Sequence, residues 1–414
     1  MTGPAGAAGT TYVDQHGALP ATGLRRVVIV LSTVQIVSWG VLYYAFAALQ
    51  SSITADTGWS AVAVTGAFSL AQLLSGGVGI WVGRHLDAVG PRRVMTAASL
   101  VAVPGLLAVA LAPTLWVFYL GWAATGVAMA GSLYPPAFAA LTRWGGARRV
   151  RALTTLTLVA GLASTVFAPL AAVLDDALGW RQAYLVLLAG LAAVTVPLHW
   201  WGLDHPWRPV PDEHPSGTTR DGRTVAVARS RPFVLLAAAN ALTALAVFAV
   251  VINLVPMLVE QGMTRDLAAL ALGLGGVGQV LGRLGYARFA AATSVTSRGV
   301  LVLAGVATAT AALALAPAAS GLLIVIGMLL GLARGVWTLV QATAVTDRWG
   351  PSAYGTLNGV LTAPALVAAA AAPFAGAVLA DLLGSWADAF LVLAGLAALA
   401  AVLMAYAAPR PARA

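Results

Sequence analysis

Two arginines, Arg283 and Arg334, lie inside long apolar stretches of this sequence. A cation at the centre of a membrane-spanning helix costs about 2.5–3.5 kcal/mol on insertion scales, so each needs a partner. No Asp or Glu lies in the middle of any apolar stretch. Because a planar guanidinium binds a carboxylate or phosphate through two parallel hydrogen bonds, the pattern predicts that a bound anion supplies the missing charge.

Other polar side chains in the apolar stretches could take part in the same chemistry. Gln279 lies four residues before Arg283, on one helix face, where it could orient the guanidinium or donate to a ligand oxygen. Trp39, Tyr43 and Tyr134 carry hydrogen-bond donors near the middle of their stretches. Each of these residues could instead have a structural role. Arg283 could snorkel to the membrane surface, and Arg334 could donate to backbone carbonyls. Gln279 could form an interhelical hydrogen bond, and the aromatic residues could pack against neighbouring helices.

Catalysis is not predicted. A catalytic site needs a nucleophile with a base, or a metal cluster, and the few His, Asp and Glu residues lie in loops without ligand spacing. The chain has no cysteine and no Walker A motif, and its glycine-rich segments follow no strand. We therefore expect no enzyme activity, no cofactor and no metal.

The elements that position these residues are predicted to be membrane-spanning helices. The chain is 60% hydrophobic and 9% charged, with a mean hydropathy of +0.88. Twelve apolar stretches are long enough to cross about 30 Å of hydrocarbon as helices. We number them spans 1–12: 26–50, 60–83, 93–112, 114–141, 152–175, 181–203, 232–259, 266–289, 299–317, 320–346, 352–380 and 385–408.

The positive charge follows membrane topology. The formal net charge is +9, and every basic side chain other than histidine is an arginine. With both termini in the cytoplasm, only Arg181 and Arg265 among the loop arginines lie outside, as the positive-inside rule requires. We therefore expect a multi-pass protein of the inner (plasma) membrane that contacts the lipid bilayer and no nucleic acid. The arginine-only, alanine-rich composition is typical of a GC-rich bacterial genome.

A polar segment divides the chain into two halves. Residues 204–231 are rich in proline and charge and are predicted to form a cytoplasmic linker. The predicted domains are a cytoplasmic tail 1–25, a six-helix bundle 26–203, the linker 204–231, a second six-helix bundle 232–408 and a cytoplasmic tail 409–414.

The two halves repeat each other. GGVGIWVGR at 76–84 and GGVGQVLGR at 275–283 share six of nine residues, and the segments at 126–145 and 331–350 also align. These pairs relate span 2 to span 8 and span 4 to span 10, as expected for two parallel repeats facing a central cavity. The next loop arginine, Arg93, follows Arg84 by nine residues, whereas Arg298 follows Arg283 by fifteen. At 1.5 Å per residue, Arg283 should therefore lie roughly 9 Å deeper in the membrane than its counterpart Arg84.

The loop between spans 2 and 3 resembles a known signature. GRHLDAVGPRRV at 83–94 is similar to the loop motif of the major facilitator superfamily, with departures at Ala88 and Pro91. The resemblance implies a fold of two pseudo-symmetric six-helix bundles and a cytoplasmic loop that gates alternating access. Its gating residues would be Gly83, Asp87, Gly90, Arg92 and Arg93, with Asp87 accepting hydrogen bonds from an arginine or a helix N-terminus.

The position of Arg283 resembles a feature of two groups of carriers within that family. It is similar to the arginine of the eighth span that holds the substrate carboxylate in monocarboxylate-transporter-like and oxalate/formate-antiporter-like carriers. The monocarboxylate pattern often has an aspartate one turn earlier as a proton partner, and Gln279 occupies that position here. The difference favours uniport or anion exchange over proton symport.

The sequence therefore predicts a monomeric carrier of a small organic anion, a monocarboxylate, together with an exchanged or co-transported ion if transport is coupled. The binding residues would be Arg283, Arg334, Gln279, Tyr43, Tyr134 and Trp39. Two alternatives remain. The chain could be an efflux carrier for a drug or secondary metabolite, in which the arginines are structural or hold a larger acidic product. It could also be a membrane anion sensor that signals through the 204–231 linker.

Overall fold

The computed structural model describes residues 18–207, 220–351 and 353–408, and within these ranges every regular element is a helix. Parts of the predicted tails and linker, residues 1–17, 208–219 and 409–414, lie outside the described residues. The helices of the first half are Ala21–Trp39, Ala45–Thr57, Ala61–Val89, Pro91–Ala110, Leu115–Ser132, Tyr134–Gly145, Arg149–Ala160, Ala163–Leu178 and Trp180–Gly202. Those of the second half are Arg220–Arg229, Arg231–Ile252, Leu254–Glu260, Arg265–Ala292, Val295–Leu315, Ser320–Thr343, Thr346–Trp349, Tyr354–Leu383 and Trp386–Tyr406.

Spans 1, 4, 5 and 7 each consist of two consecutive helices, and each of the other eight is one long helix. In span 1 a π-helical turn, Gly40–Tyr44, joins the two parts. Span 4 breaks at Leu133, and the next helix begins at Tyr134 with Pro135 and Pro136 in its first turn, where proline is favoured. Most spans extend beyond at least one predicted end; span 2, for example, continues to Val89.

Part of the predicted linker is helical. The described part of residues 204–231 contains the helix Arg220–Arg229. Val227 and Ala228 pack against the core of the protein, which explains why this short polar segment is helical.

Ten helical stretches among the described residues are long and apolar enough to cross a membrane. One of them, Leu115–Leu178, has 64 residues, about three times the length that a bilayer needs, and it contains both span 4 and span 5. Span 8 is the 28-residue helix Arg265–Ala292, which is also long enough to cross a bilayer. The predicted all-helical, twelve-span membrane fold is confirmed.

Helix packing repeats between the halves. Span 3 packs on spans 4 and 6, and span 9 packs in the same way on spans 10 and 12. Span 2 packs on span 4, as span 8 does on span 10. Equivalent helices therefore make equivalent contacts, as the sequence repeat predicts.

The two halves meet mainly at one end of the molecule. We call this the basic end, because it carries the arginine-rich loop 83–94, and the other the opposite end. One hydrophobic cluster joins both halves at the basic end, where Leu153 and Leu357 belong to the same core. Toward the opposite end each half has a separate core, around Trp122 in the first half and Phe390 in the second. The molecule is thus closed at its basic end.

Glycines allow the close approach of spans 8 and 10. A β-carbon added at Gly331 would lie 1.9 Å from the Gly275 carbonyl oxygen, and one added at Gly278 would lie 2.0 Å from the Met328 carbonyl oxygen. The backbones of the two helices are in contact, so no larger residue fits there. This packing fixes the positions of Arg283 and Arg334 relative to each other.

We expect Gly331→Val to destabilise the second half, because overpacking a tight interface costs about 1–3 kcal/mol. The melting temperature of the detergent-solubilised protein should fall by several degrees. The control is Gly321→Val on the same helix, where no atom lies within 4 Å of an added β-carbon. Equal melting temperatures for the two variants would contradict the close packing.

Candidate functional site

Arg283 lies between the halves, near the basic end. Its side chain is 5% exposed, and Nη1 donates a hydrogen bond of 2.8 Å to the backbone carbonyl of Thr157 in span 5. The buried Nε has no hydrogen-bond partner among the described residues. Arg283 lies nine residues before the end of its helix, and the exposed Arg84 lies five residues before the end of its own. Arg283 therefore lies about 6 Å further from the end of its helix than Arg84 does, at 1.5 Å per residue.

Arg334 lies at a similar depth, nine residues before the end of Ser320–Thr343. Its guanidinium carbon lies 5.8 Å from the centre of the Phe248 ring of span 7, and the side chain is half-buried. It is close enough to Arg283, Tyr43 and Tyr44 for electrostatic interaction. In the part of the chain that the structure describes, neither Arg283 nor Arg334 forms an ion pair. Two like charges therefore face the same region without a carboxylate.

Aromatic side chains of the first half face these arginines. The ring of Trp39 lies 5.0 Å from that of Tyr134 and 5.4 Å from that of Tyr43, between ring centres. Tyr44 lies 5.3 Å from Tyr43, and both Tyr44 and Tyr134 interact electrostatically with Arg283. The structure thus brings Arg283, Arg334 and the predicted aromatic residues together.

The π-helical turn Gly40–Tyr44 shapes this aromatic group. A π turn inserts an extra residue into a helix and changes which side chains share a face, and such turns are frequent at functional sites. Glycine is required at position 40, the first residue of the turn, because a β-carbon there would lie 2.1 Å from the Phe167 ring and overlap it. The indole Nε1 of Trp39 is buried and has no hydrogen-bond partner among the described residues. It is a donor available to a ligand.

Gln279 differs from the other predicted residues. It is half-buried, and its side chain forms no hydrogen bond with another described residue. Its backbone carbonyl oxygen lies against Gly335 of span 10, 2.1 Å from the position of an added β-carbon. The structure places Gln279 in the glycine-packed interface and does not join it to Arg283.

Sequence reasoning missed three neighbours of the arginines: the Thr157 carbonyl, the break in span 5 at Gly161–Leu162, and Phe248. A backbone carbonyl has no signature in the sequence. The break had one signal, Gly161 in the middle of an apolar span, and Phe248 was one apolar residue among many.

Asp87 joins the halves at the basic end. Its Oδ1 accepts a hydrogen bond of 2.9 Å from the Gly355 amide. Its Oδ2 accepts from the amide and hydroxyl of Thr356, at 2.8 and 2.9 Å. These amides begin the helix Tyr354–Leu383 of span 11, whose N-terminus favours a negative charge. Gly83 allows this approach, because a β-carbon there would lie 2.1 Å from the Gly355 carbonyl oxygen.

The other residues of the loop motif have separate roles in the structure. Gly90 has a φ of 84° and lies against Trp207, which donates a hydrogen bond from Nε1 to the Asp87 carbonyl. Arg92 pairs with Asp204 at 2.5 Å within the first half. Arg93 is exposed. The loop arginines therefore do not pair with Asp87.

A second polar link between the halves was not predicted. Asp347, after span 10, accepts a hydrogen bond of 3.1 Å from Arg149 of span 5 and one of 2.6 Å from Arg298 of span 9. Burial lowers the pKa of the neighbouring Arg348 to about 10, and Asp347 opposes that shift. Arg348 therefore remains charged at neutral pH, and the link is rich in positive charge.

We expect Asp87→Asn to weaken closure of the basic end, because an amide cannot accept hydrogen bonds at both of its terminal atoms. Spin labels at Leu178→Cys and Val259→Cys, exposed positions near the opposite end of each half, would report the change. No native cysteine interferes. The distance between the labels should shorten as the opposite end closes. Asp204→Asn is the control, since Asp204 pairs within one half; equal effects of the two variants would contradict this role of Asp87.

Comparisons of sequence and of structure relate the chain to known proteins. A model of the Major Facilitator Superfamily matches residues 31–321. The chain is similar to the transporter FucP in the outward conformation, with a TM-score of 0.74 and 13% identity over 92% of this chain and 98% of that one. It is also similar to the human organic anion transporter MFSD10, with a TM-score of 0.71 and 18% identity over 93% and 100%. A variant of the E. coli fucose:proton symporter FucP matches with a TM-score of 0.65 and 13% identity over 94% and 96%.

No curated protein matches the chain by sequence. At identities this low, the likeness to the solved structures shows a shared fold and does not define a substrate.

Proposed function

Since the chain belongs to the Major Facilitator Superfamily, a family of membrane transporters of small molecules, we propose that it carries a small organic anion, a monocarboxylate, by alternating access. Rocking of the two bundles would expose the cavity to one side of the membrane at a time. The observation that carries the proposal is the pair Arg283 and Arg334, two guanidinia near each other without an acidic partner among the described residues.

Charge supports a monoanion over a dianion. Arg283 already donates to the carbonyl of Thr157, close to the end of the helix Arg149–Ala160, where the helix dipole contributes partial negative charge. Arg334 makes no hydrogen bond from its guanidinium within the described ranges, and its partner there is the face of Phe248. While the basic end is closed, Arg334 is therefore the guanidinium available to an arriving carboxylate, which it binds bidentately.

The aromatic residues support an organic rather than an inorganic anion. Trp39, Tyr43 and Tyr134 present rings and polar tips to the same region, so they would contact the carbon skeleton and any hydroxyl or carbonyl group of the substrate. Gln279 would contribute to the shape of the helix interface, and its role as a ligand contact stays a prediction.

Closure at the basic end would be one state of the transport cycle. In it, Asp87 and Gly83 would hold span 2 against span 11. Gly90 and Arg92 would support the loop through Trp207 and Asp204 of the first half, and Arg93 would stay exposed. We place the basic end and both termini in the cytoplasm of a bacterial cell, on the positive-inside rule. The structure would then be an outward-facing state of a monomeric inner-membrane carrier, with the domain boundaries given by the sequence.

Efflux of a larger acidic product is the second candidate. The aromatic surface extends from Tyr134, stacked on Phe138 at 4.9 Å, to Tyr43 and Phe68, 5.3 Å apart, and it would offer stacking partners to an aromatic acid. Competition by small carboxylates and by aromatic acids distinguishes the two candidates. A sensor without transport would show saturable binding but no flux.

We expect Arg334→Ala and Arg283→Ala to reduce carboxylate counterflow in proteoliposomes at least tenfold, since loss of a charge-assisted hydrogen bond costs about 1.5–3 kcal/mol. The labelled substrates are small mono- and dicarboxylates. Arg288→Ala is the matched control, because Arg288 is exposed on the same helix as Arg283. Carboxylate flux that neither cavity variant reduces would contradict the proposal, and so would the absence of any carboxylate flux in the wild type.

The coupling of carboxylate transport to proton movement gives a further prediction. Because Gln279 cannot ionise and no Asp or Glu lies in the middle of a span, carboxylate uptake should not depend on proton movement through this site. An imposed proton gradient should leave counterflow in proteoliposomes unchanged, at a fixed pH on the side where the substrate is supplied. Substrate accumulation driven by that gradient would show that a proton is carried with the anion.

A further inference from the structure

The contact between Arg283 and Thr157 connects the binding site to closure of the basic end. Arg283 belongs to span 8 of the second half and Thr157 to span 5 of the first half. Their hydrogen bond of 2.8 Å therefore crosses between the two halves, and it joins a buried cation to a backbone carbonyl. A contact of this kind can exist only while the two helices stay together.

Span 5 breaks directly beside this contact. The helix Arg149–Ala160 ends at Gly161, and a new helix begins at Ala163. A β-carbon added at Gly161 would lie 2.6 Å from Nη1 of Arg283, with the Thr157 and Leu158 carbonyl oxygens at 3.1 and 3.3 Å. Gly161 has a φ of −63°, which any residue can adopt. Glycine is therefore needed at this position to leave space for the guanidinium, and not to allow the backbone conformation.

We propose that the Thr157 carbonyl holds Arg283 in place of the substrate carboxylate while the basic end is closed, and that Gly161 is a positioning residue that makes room for this contact. The inference rests on the proposed function and adds a link between binding and conformational change. A carboxylate carries a full charge and a carbonyl only a partial one, so an arriving carboxylate competes successfully for the guanidinium. Its binding removes one of the polar links between the halves and favours opening of the basic end.

The Gly161→Ala substitution tests this step without any substrate. The added methyl group displaces the guanidinium from the Thr157 carbonyl, and the ratio of basic-end-open to basic-end-closed molecules should rise about tenfold. The measurement is the distance distribution between spin labels at Leu178→Cys and Val259→Cys in ligand-free proteoliposomes. Gly190→Ala is the control, because nothing lies within 4 Å of a β-carbon at that position.

Alanine also favours a continuous helix, so the same substitution must be made in a second background. In an Arg283→Ala protein, Gly161→Ala should leave the distance distribution unchanged, since no guanidinium remains to be displaced. Arg283→Gln, which leaves span 5 intact, should shift the distribution in the same direction as Gly161→Ala. It provides a second route to the result if the alanine variant folds poorly.

Two results would overturn the proposal: no shift by Gly161→Ala in the otherwise native chain, or an equal shift with and without Arg283. Neither result depends on transport. If the wild type moves no carboxylate, the proposed function fails, and the ligand-free comparison still decides whether Arg283 and Thr157 hold the halves together.

Discussion

A guanidinium inside a bilayer must be compensated, and this requirement organises the centre of the protein. Arg283 meets part of it with the Thr157 carbonyl across the interface between the halves. Arg334 meets it only with the face of Phe248 and the nearby tyrosines. Since neither has an ion pair among the described residues, this region is positively charged, and we propose that an anionic substrate supplies the missing partner.

We propose that the rest of the fold allows that charge to be reached from one side of the membrane at a time. Glycine contacts bring spans 8 and 10 close together and fix both arginines at one depth. At the basic end, Asp87 at the start of span 11 and Asp347 between Arg149 and Arg298 hold the halves together. Asp87, Asp347 and Arg298 are largely buried, so these bonds are sheltered from water while the halves stay together. The proposed binding site and the closure contacts therefore both rely on buried charges that are held by hydrogen bonds.

Composition and repetition were sufficient to predict much of this arrangement. Twelve apolar segments, a polar segment between the sixth and seventh, and two aligned glycine-rich motifs predict the fold, and the depth of Arg283 follows from its repeat partner Arg84. The sequence could not predict partners that have no side-chain signature or that lie far away in the chain. The Thr157 carbonyl belongs to the first class, and the pairing of Arg149 with Asp347, 198 residues apart, belongs to the second. The π turn at Gly40–Tyr44 was also not predictable, because it consists of glycine, apolar and aromatic residues, among which a shift of the helix faces leaves no visible mark.

The central claim is that a substrate carboxylate is the counter-ion of the buried arginines. The most direct test uses the unmodified protein and measures displacement of a bound radiolabelled monocarboxylate by the same acid and by its neutral amide, which has nearly the same shape. The account predicts that the acid displaces the label and that the amide competes at least tenfold more weakly, because only the acid supplies the charge that Arg283 and Arg334 lack. Equal competition by the acid and the amide would show that shape, and not charge, determines binding, and would contradict the account.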